Sequence, residues 1–230
     1  MFYPQLKKVL FPEKELTREA SCNCLKNDGR TWLLFKVNAE YSGNSSIIHK
    51  LITISDVSKD IQRQEELTYL AYYDTMTGLY NRNYFIQCLN DFMHRAKDNN
   101  DLVSVLFIDI DDFRKINDSM GMLVGDELVQ QFGSMLKQFT SHPNIIAGHF
   151  NSDIFCMAVY NPSGGYTSDN IANQINERLM RPFKLSNGID LSITVCIGIS
   201  EYPEAAEGVL ELINCAEIVM FRCKNIGKNM

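Results

Sequence analysis

Three carboxylates, Asp109, Asp111 and Asp112, follow at once on the almost continuous apolar run 102–108, where a buried central strand would emerge from its sheet. Carboxylates placed there aim their oxygens at one cleft. A pair of Mg2+ ions needs such an arrangement, because hard cations take oxygen ligands and two metals clamp the attacking and leaving oxygens of a phosphoryl displacement. A polar strand end followed by a helix cap has the same pattern, so the run Asp-Ile-Asp-Asp leaves both readings open. A fourth carboxylate, Asp153, stands in the apparent hairpin 145–160, immediately after a turn expected at Asn151-Ser152. Beside the Asp109 strand it could approach the same metals; alone, it is equally an ordinary surface turn. Asn accepts the positive φ such a turn requires, and Ser does so less well. Lys224 and Lys228 lie four residues apart at the end of an apolar-faced helix and project to one side. They could neutralise a triphosphate, or simply complement the negative end of the helix dipole.

These residues need elements to position them. After Asp74 helices and strands alternate, the signature of an α/β or α+β layered fold. Helices are expected over 82–97, 123–139, 168–180 and 208–223, and strands over 102–109, 145–150, 154–160 and 191–200. Leu128, Val129, Phe132, Leu136 and Phe139 recur at helical spacing and define one buried face.

Ahead of this region, 20–25, 31–40 and 46–55 read as an antiparallel meander broken at 26–29 and 42–45. Three strands do not enclose a ligand, so they must pack on something else. Trp32, the sole tryptophan, is by default a core or interface anchor. Residues 56–73 are polar, carry Val57, Ile61, Leu67 and Leu70 as sparse apolar points, and read as a helix. That helix is either a parallel dimer stalk or lies on its own domain.

The formal charge of −6 argues against a nucleic-acid surface, although two or three cations suffice for one mononucleotide. No run of about 18 apolar residues and no signal-peptide layout occurs, so the chain is expected to be cytoplasmic without a membrane segment. The seven cysteines read as reduced core thiols. Cys22 and Cys24 would share one strand face, and a metal or redox role for them lacks a second ligand cluster.

Three motifs in order resemble one family. D-T-M-T-G-L-Y-N-R at 74–82 is similar to the opening motif of GGDEF (diguanylate cyclase) domains, D-x-L-T-G-L-x-N-R. D-I-D-D-F-R-K-I-N-D-S-M-G-M-L-V-G-D at 109–126 resembles their metal and guanine-binding stretch, and A-E-I-V-M-F-R-C-K-N-I-G-K-N at 216–229 their closing helix. The resemblance covers 74–230 and implies a nucleotide-cyclase-like central sheet flanked by helices, beside a small N-terminal antiparallel β segment. K-N-D-G-R-T-W and the hairpin after it, ending in I-S-D-V-S-K-D-I-Q-R-Q-E-E-L, resemble the last strands of a PAS sensory domain. The implied division is a partial PAS-like segment at 1–57, a linker helix at 58–73 and a GGDEF-like domain at 74–230.

By position, the resemblance makes Asp109, the Ile110 carbonyl and Asp153 metal ligands, with Asp109 and Asp153 as the catalytic carboxylates. It lays the backbone at Phe113 and Arg114 along the phosphates, turns Asn117 and Asp126 to the guanine edge, and assigns the terminal phosphates to Lys224 and Lys228. The implied cofactor is Mg2+, and the implied ligand GTP or another guanine nucleotide. The implied partners are a second copy of the domain and a phosphodiesterase domain downstream.

The signature loop departs from the family. Asn151-Ser152-Asp153-Ile154-Phe155 stands in place of Gly-Gly-Asp/Glu-Glu-Phe. Side chains at the two glycine positions would crowd or displace the nucleotide, and Ile154 removes a carboxylate from beside the metals. The family joins two GTP into cyclic di-GMP largely by positioning and metal electrostatics, so each tenfold loss of rate corresponds to about 1.4 kcal/mol of misplacement. The Arg-x-x-Asp of the inhibitory product site is replaced by His142-Pro143-Asn144-Ile145. The expectation is a GTP-binding regulatory module with little or no cyclase activity; an active cyclase and a non-binding dimerisation scaffold are the alternatives.

Overall fold

The structure, a computed structural model, describes residues 17–26, 29–41, 47–161 and 167–226. It divides into two compact units, Met1–Tyr69 and Leu70–Met230.

In the first unit, β1 (Thr17–Lys26), β2 (Gly29–Tyr41) and β3 (Ile47–Asp56) pair antiparallel in the order β1-β2-β3, the expected meander. The segments 27–28 and 42–46, and the side chains of Cys22 and Cys24, lie outside the described residues, and with them the metal or redox reading of that cysteine pair. Asp56 starts α1 (Ser58–Tyr72): its Oδ1 accepts from the Ser58 amide at 3.0 Å and hydroxyl at 2.6 Å. The Ser58 hydroxyl in turn accepts from the Trp32 amide at 2.8 Å, which ties the hairpin to the helix start. No side chain of α1 is buried, and Leu67 and Leu70 are about half exposed.

The second unit is built on β5 (Leu102–Ile110), all of whose residues after Leu102 are buried. A strand covered on both faces has no polar face to show, which is why it reads as an almost continuous apolar run. Its alternate residues feed two cores. Leu106, Ile108 and Ile110 pack with Leu128 and Phe132 of α4 (Met122–Phe139) and Ile171 and Ile175 of α5 (Ser168–Leu179). Val103, Val105 and Phe107 pack with Phe85 and Leu89 of α2 (Arg82–Asn99) and Leu212 and Ala216 of α6 (Val209–Ile226).

The sheet has the order β10-β5-β7-β6-β4, with β4 (Tyr80–Asn81), β6 (Ile145–Asn151), β7 (Ile154–Asn161) and β10 (Val195–Tyr202). Antiparallel ladders join β10, β5, β7 and β6, and β4 runs parallel to β6. The architecture is the expected α/β layer fold. Gly198 of β10 lets α6 come close, since a Cβ there would lie 2.0 Å from the Ala216 carbonyl oxygen.

Three local expectations change. The strand expected over 191–200 is two elements: β9 (Asp190–Leu191), paired with β8 (Phe183–Lys184), and then β10. Between them Thr194 is drawn to the end of β5, where its carbonyl accepts from the Asp111 amide at 2.9 Å. A short helix not foreseen from the sequence, α3 (Phe113–Met120), precedes α4 and buries only Phe113. The β6–β7 turn falls at Ser152-Asp153, one residue later than expected, because Asn151 still pairs with Ile154 across the hairpin. The positive φ therefore lands on Ser152, at 41°, and Asn151 closes the strand.

Candidate functional site

The penultimate residue of β5 is Asp109, 6% exposed, on the face that Val105 and Phe107 share with α2 and α6. Its ladder neighbours are Cys196 on β10 and Ile154 on β7. Lys224, near the end of α6, brings Nζ within 2.5 Å of Asp109 Oδ1. Burial pushes the Asp109 carboxyl above its ordinary value; Lys224 draws it back, and the charges of Asp153 and Asp111 add to the rise. For Lys224, burial opposes the ammonium, but the bond to Asp109 and the surrounding carboxylates outweigh it and raise its pKa.

Asp153 occupies the turn itself, partly buried, and its carbonyl accepts from the Ile110 amide at 3.2 Å. That bond pins the turn to the strand end carrying Asp109 and Ile110. The carboxylates of the Asp-Ile-Asp-Asp run separate by role. Asp111 accepts from the Thr194 hydroxyl at 2.6 Å and the Cys196 thiol at 3.2 Å, which engages both of its oxygens in joining β5 to β10. Asp112 faces outward in an ion pair with Lys115 at 2.9 Å, and it starts α3 with no side-chain cap bond. Among the described residues no group of three or more His, Cys, Asp or Glu is placed to hold a metal ion.

A second cluster forms where α3 meets α4. Asn117 Oδ1 is buried without a hydrogen-bond partner and rests against Gly125, where a Cβ would sit 1.9 Å away. Asp126, partly buried, follows Gly125 directly. Phe113 is buried beneath this junction, while Arg114 is exposed beside Asp118 at 3.9 Å. Asn151 and Ser152 are exposed at the turn, and Ile154 packs at the edge of the α2/α6-side core. Lys228 lies outside the described residues. Ile145, which closes the stretch His142-Pro143-Asn144-Ile145, is 3% exposed in the α4/α5-side core.

Two further residues act on the turn and were not singled out from the sequence. His149 of β6 is 8% exposed; its Nδ1 lies 3.0 Å from Asp74 Oδ1 and its Nε2 lies 3.1 Å from the Ser152 carbonyl oxygen. Asp74 Oδ1 also accepts from the Thr77 amide at 2.9 Å and hydroxyl at 2.7 Å. The signal was present in the alternation: residues 145, 147 and 149 share one strand face, so the apolar pattern placed a histidine in the core.

A model of the GGDEF family, described as the diguanylate cyclase GGDEF domain, matches residues 71–230. The chain belongs to the GGDEF family. It is 30% identical over 166 residues to the cyclic di-GMP phosphodiesterase NbdA of Pseudomonas aeruginosa, covering 71% of this chain and 20% of that protein. It is 30% identical over 201 residues to the cyclic di-GMP phosphodiesterase PdeR of Escherichia coli, covering 87% and 30%. To the diguanylate cyclase TpbB of Pseudomonas aeruginosa it is 29% identical over 158 residues, covering 69% and 36%. The chain thus spans between 20% and 36% of the length of these relatives. The solved GGDEF domain of TpbB superposes with a TM-score of 0.65 at 28% identity, covering 69% of this chain and 91% of that one. No helix among the described residues is long and apolar enough to cross a membrane.

Proposed function

We propose that the second unit is a GTP-binding regulatory domain in cyclic di-GMP signalling, and that it makes little or no cyclic di-GMP itself. The observation that carries this reading is the buried Asn117 Oδ1, which has no hydrogen-bond partner and rests against Gly125, the residue before Asp126. Asn117 and Asp126 would offer two acceptors to a ligand with two neighbouring donors. The guanine edge offers such a pair in its ring N–H and exocyclic amine, and adenine does not.

The donor chemistry at the strand end suits Mg2+. This ion is usually bound through one or two carboxylates together with substrate phosphates, not by an all-protein cage. Asp109 and Asp153 would supply the carboxylates and Ile110 its carbonyl oxygen. When bound, the ion would neutralise phosphate charge and polarise the phosphoryl oxygens. With Asp109 so engaged, the Lys224 ammonium would be free to meet a phosphate, joined by Lys228, while the α3 start at Phe113 and Arg114 would line the phosphate chain. Asn151 and Ser152 put side chains where the family leaves room for substrate, and Ile154 sets a hydrocarbon beside Asp109. These features favour binding over turnover.

In this reading α1, none of whose side chains is buried and whose Leu67 and Leu70 are half exposed, pairs with α1 of a second copy. The PAS-like strands ahead of it carry a sensory input. In a longer protein the domain would regulate a phosphodiesterase partner, the activity named for NbdA and PdeR. A cytoplasmic location follows from a nucleotide ligand.

The test is a thermal-shift titration with GTP and Mg2+, run beside ATP and an Asp109→Ala variant, followed by a product assay. A ligand that binds the folded form must raise the melting temperature. A GTP-specific, Mg2+-dependent rise that Asp109→Ala abolishes, with no cyclic di-GMP formed, is the expected result. No shift at millimolar GTP would leave a dimerising scaffold.

A further inference from the structure

We propose that His149 is a positioning residue that holds the signature turn only as an imidazolium, so that the geometry of the turn depends on pH. Both ring nitrogens face acceptors. Nδ1 meets Asp74 Oδ1 at 3.0 Å and Nε2 meets the Ser152 carbonyl at 3.1 Å. A carbonyl oxygen can only accept, so Nε2 must donate. The Asp74 oxygen already accepts from the Thr77 amide and hydroxyl, so Nδ1 must donate as well. A neutral imidazole carries one N–H, and only the imidazolium carries two.

Asp74 is suited to be the counterion. Burial pushes its carboxyl up, but the two Thr77 bonds and His149 outweigh this and hold it below the ordinary carboxylate value. The other groups around the ring fit the same assignment. Phe155 on β7 presents an aromatic face with ring centroids 4.7 Å apart. Asn81 on β4 is the neutral partner in register. From α4, Lys137 donates to the Gly78 carbonyl at 3.2 Å, in the turn that Asp74 opens.

The turn needs this support. Ser152 is held at φ 41°, in the left-handed region that a residue bearing a Cβ rarely adopts. The His149 bond to its carbonyl, and the Asp153 carbonyl bond to Ile110, restrain the conformation from both sides. Loss of the ring proton removes one of the two His149 bonds and loosens the link between residues 74–79 and Asp153. The consequence for nucleotide affinity rests on the function proposed above; the charge state and its coupling to the turn do not.

The experiment is a pH titration of the ligand-free full chain by nitrogen NMR, following the His149 ring nitrogens and the backbone amides of residues 151–153. The turn amides should hold one position while both ring nitrogens carry protons, and should shift together with the ring signals as the pH is raised. In His149→Arg, which keeps the charge, the turn amides should no longer titrate. Turn amides indifferent to the protonation of the ring would overturn the proposal, and that observation does not need the arginine variant to fold. Coupled ring and turn signals in a chain that Mg2+ and GTP fail to stabilise would support the clamp and overturn the nucleotide reading alone.

Discussion

Lys224 Nζ approaches Asp109 Oδ1 to 2.5 Å, yet the Asp109 carboxyl is still raised above its ordinary value. Burial and the neighbouring acids Asp153 and Asp111 therefore outweigh the single cation. A raised carboxyl binds its proton more tightly in the fold than in the unfolded chain. Its contribution to stability is fully present below 3.8 and is lost as the pH rises through the raised value. Asp109→Asn should accordingly stabilise the ligand-free protein near neutral pH, by no more than about 0.5–2 kcal/mol because it also takes the partner from Lys224. The gain should shrink on acidification, and any response to Mg2+ with GTP should disappear. Urea melts of both forms at acidic and neutral pH check this; equal stability at neutral pH would contradict it.

Asp74 has the opposite sign. Its lowered carboxyl contributes stability that is present above 3.8 and lost as the pH falls through the lowered value. Asp74→Asn should destabilise the protein at neutral pH by about 1–3 kcal/mol, since it weakens hydrogen bonds to a charged acceptor. The deficit should close toward acid pH, the reverse of the Asp109→Asn trend. Parallel pH dependences for the two variants would refute the assignment.

Two glycines separate packing from recognition. A Cβ at Gly198 would meet the backbone of α6 at 2.0 Å, and backbone cannot turn aside, so Gly198→Ala should cost about 1–3 kcal/mol or more. At Gly125 the Cβ would instead meet the Asn117 carboxamide at 1.9 Å, a side chain that can rotate away. Gly125→Ala should be the milder change in stability and the more damaging one in guanine selectivity. Denaturant melts and a GTP-against-ATP titration of both variants separate the two effects.

The layered fold was legible wherever burial imposes a period. β5 reads as an almost continuous apolar run because helices cover both of its faces, and α4 shows its buried stripe at helical spacing. What escaped was held by polar side chains. α3 buries a single residue and so leaves no periodic trace. Thr194 breaks the expected strand through its bonds to Asp111, a residue 83 positions away in sequence. The turn moved by one residue because the hairpin register, not the preference of Asn for positive φ, decides which residues cross over. The composition of the carboxylate run could not separate Asp109, which meets Lys224, from Asp111 and Asp112, which are engaged elsewhere.

The signature loop supplies the last prediction, because its three departures from the family pattern differ in structural consequence. Ser152→Gly removes a Cβ from a residue at φ 41° and should stabilise the hairpin by about 1 kcal/mol. Asn151→Gly acts at an exposed strand end paired with Ile154 and should cost a few tenths to about 1 kcal/mol of backbone entropy. Ile154→Glu is the costly step: it replaces a partly buried side chain at the edge of the core with an anion directly across the ladder from Asp109. The triple variant should be less stable than wild type without ligand, and should recover stability with Mg2+ and GTP, since a metal relieves the repulsion between the two acids. If loop chemistry is what limits turnover, cyclic di-GMP should rise by tenfold or more, equivalent to about 1.4 kcal/mol or more of barrier. A triple variant that binds GTP more tightly and still makes no product would place the block in how two domains face each other.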